Sequence, residues 1–148
     1  MSHAIFLRGS IRTWNHNKKS IIDFFNLHHN NPEWYICFWN SGSSTKQQVE
    51  KDLKNCNVKF LHFEDSLKYQ NYRQLNNRND AYWRLAYLDH LLSIAKRTNE
   101  INDNIRYKTV TFIRPDVRYE SVRDNHANLL DEIKHLEVAC QDVANKNN

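Results

Sequence analysis

The chain of 148 residues has only two glycines, Gly9 and Gly42, and two prolines, Pro32 and Pro115. That scarcity excludes a collagen-like or Pro/Gly-rich low-complexity chain, and each glycine marks a position where the backbone needs one. The three cysteines, Cys37, Cys56 and Cys140, are odd in number and widely spaced. Neither a disulfide framework nor a cysteine zinc cluster fits them. The eight histidines contain no His-x-x-x-His pair, so a helical histidine metal site is not expected. No apolar run approaches the ~20 residues of a membrane-spanning helix. Met1-Ser2-His3-Ala4 leads straight into a strand-like segment, with no signal-peptide pattern. These features point to a cytoplasmic protein with no membrane span.

What is present is a core. Hydrophobic residues make up 40% and aromatics 12%, so the chain is not disordered, and its length suits one domain over 1–148. The mean hydropathy is nevertheless −0.83, chiefly because 20 residues are asparagine. Such a bias hints at an AT-rich genome, as in a phage or a large virus. Net charge is +4, a mild preference for anions, and the first thirty residues set Arg8, Arg12, Lys18 and Lys19 against Asp23 alone.

Four apolar segments read as strands: Ala4 to Leu7, Trp34 to Trp39, Val58 to Phe63 and Tyr107 to Ile113. Ile21, Phe24, Phe25 and His28 fall at helical spacing and are stopped by Asn30, Asn31 and Pro32. Ser44 and Gln47 predict a capping box for a short helix striped by Val49, Leu53 and Cys56. Glu64 to Asn77 is polar with scattered tyrosines and reads as a long loop, its Tyr69 and Tyr72 suited to a ligand lid. Asn79 or Asp80 caps a helix from about Ala81 to Arg97 with a wide apolar stripe, and a last helix is predicted at about 121–143. Strands that are apolar on both faces and alternate with helices predict an α/β Rossmann-like three-layer sandwich. Its four parallel strands would run in the order 3-2-1-4, with helices on both faces.

In such a sheet ligands bind at the carboxyl ends of the strands, where the strand order reverses. The reversal brings together the tip of strand 1, Arg8-Gly9-Ser10-Ile11-Arg12-Thr13-Trp14, and that of strand 4, Arg114-Pro115-Asp116-Val117-Arg118. The first tip suits a phosphate: Gly9 admits close approach, Ser10 and Thr13 offer hydroxyls, and Arg12 can clamp oxygens. In the second, Asp116 suits a metal ligand beside a phosphate or a plain ion pair with Arg114 or Arg118.

These segments resemble glycosyltransferase-like proteins with a GT-A (nucleotide-diphospho-sugar transferase) fold. The carrying residues are Ile5 to Trp14, Ala81 to Leu88 and Tyr107 to Val117. The resemblance implies that Gly9, Ser10, Arg12, Thr13 and Arg118 bind a nucleotide-diphospho-sugar. It implies that Asp116 and Arg114 are catalytic, and that Asp116 holds manganese or magnesium as the last carboxylate of an Asp-x-Asp motif. Transfer of the sugar to an unknown acceptor would follow. Two departures stand out. The earlier aspartate of the motif is Arg114, which can itself stabilise a diphosphate. The acceptor-binding half usual after the motif is missing, so a homodimer or a partner protein would replace it. Two further readings remain open: a non-catalytic interaction protein derived from such a fold, and a mildly basic nucleic-acid-binding domain.

Overall fold

The second strand shows why the sheet forms. In Glu33–Trp39 (β2), Trp34, Ile36 and Phe38 belong to one apolar cluster and Tyr35, Cys37 and Trp39 to another. Alternate side chains of a strand leave on opposite faces, so an unbroken apolar run can be buried only between two layers. The computed structural model describes residues 3–40, 45–76 and 81–119 and bears this out. His3–Ser10 (β1), β2, Asn57–Glu64 (β3) and Thr109–Ile113 (β4) form an all-parallel sheet in the order β3-β2-β1-β4.

Between the strands lie Trp14–His28 (α1), Lys46–Asp52 (α2), Ser66–Asn76 (α3) and Ala81–Asp103 (α4). The α1 residues Trp14, Ile21 and Phe25, Val49 of α2 and Leu53 just after it pack with Ile5, Leu7, Trp34, Ile36 and Phe38 on one face. Tyr69 of α3 and Leu88 and Leu92 of α4 pack with Ala4, Phe6, Tyr35 and Cys37 on the other. The chain moves outward from β1 through β2 to β3 and then returns past them to β4. The predicted reversal therefore lies between β1 and β4.

Several expectations need correction. Glu64 to Asn77 is not a long loop, because α3 occupies most of it, and Tyr69 is a buried core residue instead of a lid. The capping box sits one residue later than expected. Thr45 Oγ1 accepts from Gln48 N at 3.2 Å, and Gln48 Oε1 accepts from Thr45 N at 3.0 Å. β4 begins at Thr109, not Tyr107, and α4 runs on to Asp103. β1 extends past the predicted Leu7 and takes in Gly9. The wide stripe of α4 is only partly covered, and Ile94 remains 53% exposed. The caps expected at Asn79 or Asp80, the side chain of Tyr72 and the helix at 121–143 lie outside the described residues.

Edge strand β3 carries a bulge. Trp34 pairs with Val58 but Tyr35 with Phe60, so Lys59 is the extra residue, with Nζ 3.7 Å from Glu33 Oε1. A lysine-bearing bulge blunts the free edge against pairing with another chain. Among the described residues no helix is long and apolar enough to cross a membrane.

Candidate functional site

The carboxyl ends of β1, β2 and β4 frame an open cleft of ≈ 480 Å³. Gly9, Ser10 and Arg12 line it from the first strand tip and Arg114 and Asp116 from the last. Two stretches over a hundred residues apart in sequence thus meet, as the strand reversal requires. Thr13 and Arg118 do not line the cleft. Thr13 Oγ1 instead donates to Pro115 O at 3.3 Å, and Asn17 Nδ2 donates to the same oxygen at 3.1 Å. Thr13 thereby fastens the β4 tip to the start of α1.

The local chain explains the shape. A single 3-10 turn, Ile11–Thr13, follows β1, and Ser10 caps it by accepting from Arg12 N at 3.3 Å. Pro115 cannot continue the sheet ladder, so β4 ends and the chain turns, with Val117 N donating to Arg114 O at 3.4 Å. Gly9 has φ 141°, and its Cα faces the Pro115 ring. What approaches Gly9 closely is this proline.

Arg8, the residue before Gly9, does not line the cleft. Its Nε donates to Asp89 Oδ1 at 2.6 Å and its Nη1 to Ile113 O at 3.2 Å, tying β1 to α4 and β4. Burial pushes the Asp89 carboxyl up, and Arg8 opposes that shift.

Arg114 and Asp116 form a fork. Arg114 Nε donates to Asp116 Oδ1 at 2.9 Å and Nη2 to Oδ2 at 2.5 Å. Asp116 holds the guanidinium above its usual range and keeps it charged. Among the described residues no three His, Cys, Asp or Glu side chains gather as a metal site. Among the described residues Asp116 is the one carboxylate of the cleft lining, and both its oxygens are engaged by Arg114. As arranged, these side chains do not suit a divalent metal, which asks for several free oxygen donors.

The remaining wall holds residues that the sequence reading did not assign to the site: Asn40, Ser66, Arg84 and Leu85, with Trp39 as a largely buried shelf. Asn40 N donates to Glu64 O at 2.9 Å. Glu64 is itself buried, accepting from Tyr87 Oη at 3.2 Å and from Asp65 N at 3.0 Å. The Arg84 guanidinium lies 4.6 Å from the Trp39 ring centre and 5.1 Å from that of Tyr69. A sequence signal for Arg84 existed. The crossover helix runs antiparallel to the strands, so its first turn must end at their carboxyl rim.

Among the described residues of the lining, three guanidiniums thus stand with one carboxylate, which makes that lining electropositive. It can hold an anion by forked N–H donation, and it presents the hydroxyls of Ser10 and Ser66 beside that anion. Comparison of the chain with protein-family models, curated proteins and solved structures finds no match. Its functional reading rests on the residues of the cleft.

Proposed function

We propose that the cleft binds a nucleotide-diphospho-sugar and that the chain acts as a glycosyltransferase, passing the sugar to an acceptor. The observation that carries this reading is the meeting of Arg12, Arg84 and Arg114 at the strand-order reversal of a parallel sheet. Ligands of such sheets lie at that place. In the transfer, the bond between the sugar's anomeric carbon and the diphosphate oxygen breaks, and the electron pair leaves with the diphosphate. The acceptor hydroxyl forms the new bond, and its proton passes to the departing diphosphate. Guanidiniums fixed at the diphosphate stabilise the charge that develops as it departs. Ser10 and Asn40 would contact the sugar or ribose from the β1 and β2 rims. Asp116, held in its fork, would orient Arg114. The free thiols of Cys37 and Cys56 suit a reducing, cytoplasmic setting.

The test is a thermal-shift and calorimetric screen with the diphosphosugars of uridine, guanosine and thymidine. A bound ligand far above its Kd raises the melting temperature by several degrees. Arg12→Ala should remove that rise while leaving the unliganded melting point near wild type. Failure of every nucleotide-diphospho-sugar to shift the wild-type protein would sink the reading.

One observation favours a second reading, that of an interaction module. An apolar groove of ≈ 470 Å³ between β3 and α4 is lined by Phe60, Leu91, Ile94 and Ala95, and it takes no part in the cleft. Sedimentation of the purified chain as a monomer at all concentrations would remove self-association from that reading.

A further inference from the structure

Arg84 is seated in an unusual way for a cation inside a fold. Arg8 is neutralised by Asp89 and Arg114 by Asp116. Among the described residues, Arg12 and Arg84 have no acidic partner in ion-pair range. Arg84 rests instead on rings: Trp39 and Tyr69 stand 5.6 Å apart at 68° to each other, and the guanidinium lies over both. Trp39 in turn stacks on Tyr87 at 5.8 Å and 13°, and Tyr87 is tied to buried Glu64. The seat is therefore rigid. A guanidinium lying on aromatic faces is fixed in position through its π surface, and its N–H donors remain at the edge of the plane. Arg84 is also one of the residues that line the cleft.

Charge balance then identifies what the cleft is matched to. The Arg114–Asp116 fork is internally neutral, so among the described residues of the lining two positive charges, those of Arg12 and Arg84, remain uncompensated. A diphosphate diester carries one negative charge on each phosphate. We infer that Arg84, paired with Arg12 across the cleft, is a ligand-binding residue that neutralises one of the two phosphates, so that diphosphate binding needs no divalent metal. This rests on the cleft being the nucleotide-diphospho-sugar site. It gives the arginine pair the neutralising role that a metal would otherwise fill, and it leaves the Arg114–Asp116 fork intact when ligand binds.

Isothermal titration of the full chain with the diphosphate diesters uridine diphosphoglucose, guanosine diphosphomannose and thymidine diphosphoglucose tests this, each in EDTA and in manganese. The wild-type Kd for whichever probe binds should agree within about twofold between the two conditions. Arg84→Gln should weaken binding by about tenfold to a hundredfold, the usual cost of losing hydrogen bonds between charged groups. Arg84→Lys, which keeps the charge but not the fork or the stacking, should fall between them. Thermal melting of each variant shows whether it is folded. Should Arg84→Gln unfold, Arg84→Met, which keeps the stem over the rings, takes its place. Wild-type binding that vanishes in EDTA overturns the inference, as does a folded Arg84→Gln or Arg84→Met with unchanged affinity. A wild-type chain that binds no probe in either condition overturns the reading of the cleft itself, and the inference with it.

Discussion

Gly9 lies so close to Pro115 that a methyl group on its Cα would stand 3.2 Å from Pro115 Cδ, with Leu85 Cδ2 at 3.9 Å. The φ of 141° is also one that side-chain-bearing residues rarely adopt. Both facts predict the same result for Gly9→Ala. Backbone strain and crowding at one residue cost on the order of 1–3 kcal/mol. The substitution should lower stability to urea by that amount, and ligand affinity should fall with it because the β1 and β4 tips separate. Stability within about 0.5 kcal/mol of wild type would show that Pro115 yields at little cost.

The Arg8–Asp89 pair leads to a different kind of prediction. Its side chains are 13% and 26% exposed, so neither charge is well solvated. Removing one partner strands the other, and such losses reach about 3 kcal/mol when the site is buried. Arg8→Met should therefore be strongly destabilising. The double variant Arg8→Met/Asp89→Leu should recover most of the loss, because apolar groups of similar volume need no partner. A double-mutant cycle by chemical denaturation gives the coupling directly. Additive losses would mean that each residue acts through its packing alone.

A buried hydroxyl network under the same face should behave cooperatively. Tyr35 Oη and Tyr107 Oη lie 2.7 Å apart, and Asn99 Nδ2 donates to both, at 2.8 and 3.1 Å. Tyr35→Phe and Tyr107→Phe should each cost about 1–2 kcal/mol, since each leaves a buried group short of a partner. The double variant should cost less than the sum, since the two removals share one lost bond. Equal additivity in urea denaturation would show that Asn99 alone satisfies each ring.

The sheet was legible because four apolar segments announce strands that are buried on both faces. The reversal between β1 and β4 then located the cleft without any motif. α3 was not legible: its first half buries only Tyr69, and one aromatic makes no stripe. The two frames Ser44-x-x-Gln47 and Thr45-x-x-Gln48 overlap, and local spacing cannot choose between them; the structure takes the second. Gly9 looked like a ligand-facing glycine because a proline 106 positions later is invisible to local reading. For Arg84 the helix start gives the residue its place at the carboxyl rim, but not its role. Its value comes from a seat built by Trp39 and Tyr69, which only the tertiary fold assembles.

At the opposite end of the sheet, His3 makes stability depend on pH. Its ring stacks on His29 at 3.8 Å and 9°. Nδ1 pairs with Thr109 Oγ1, and Nε2 lies 3.0 Å from Thr111 Oγ1. Burial, and secondarily the nearby His29, lowers the His3 pKa from 6.5 to about 4. His29 is lowered too, by burial first and then by His28. The folded state thus holds His3 neutral, while the unfolded chain takes up a proton below about pH 6.5. A depressed folded-state pKa contributes stability that is complete above pH 6.5 and drains away as pH falls toward 4. Between pH 7 and pH 5 the loss from His3 should be about 2 kcal/mol. Urea denaturation at both pH values, for wild type and for His3→Gln, isolates it. The wild-type slope should be steeper, and the variant should close the gap at pH 5. Parallel slopes for the two proteins would show that the stacked pair sheds its proton no more readily when folded than when unfolded.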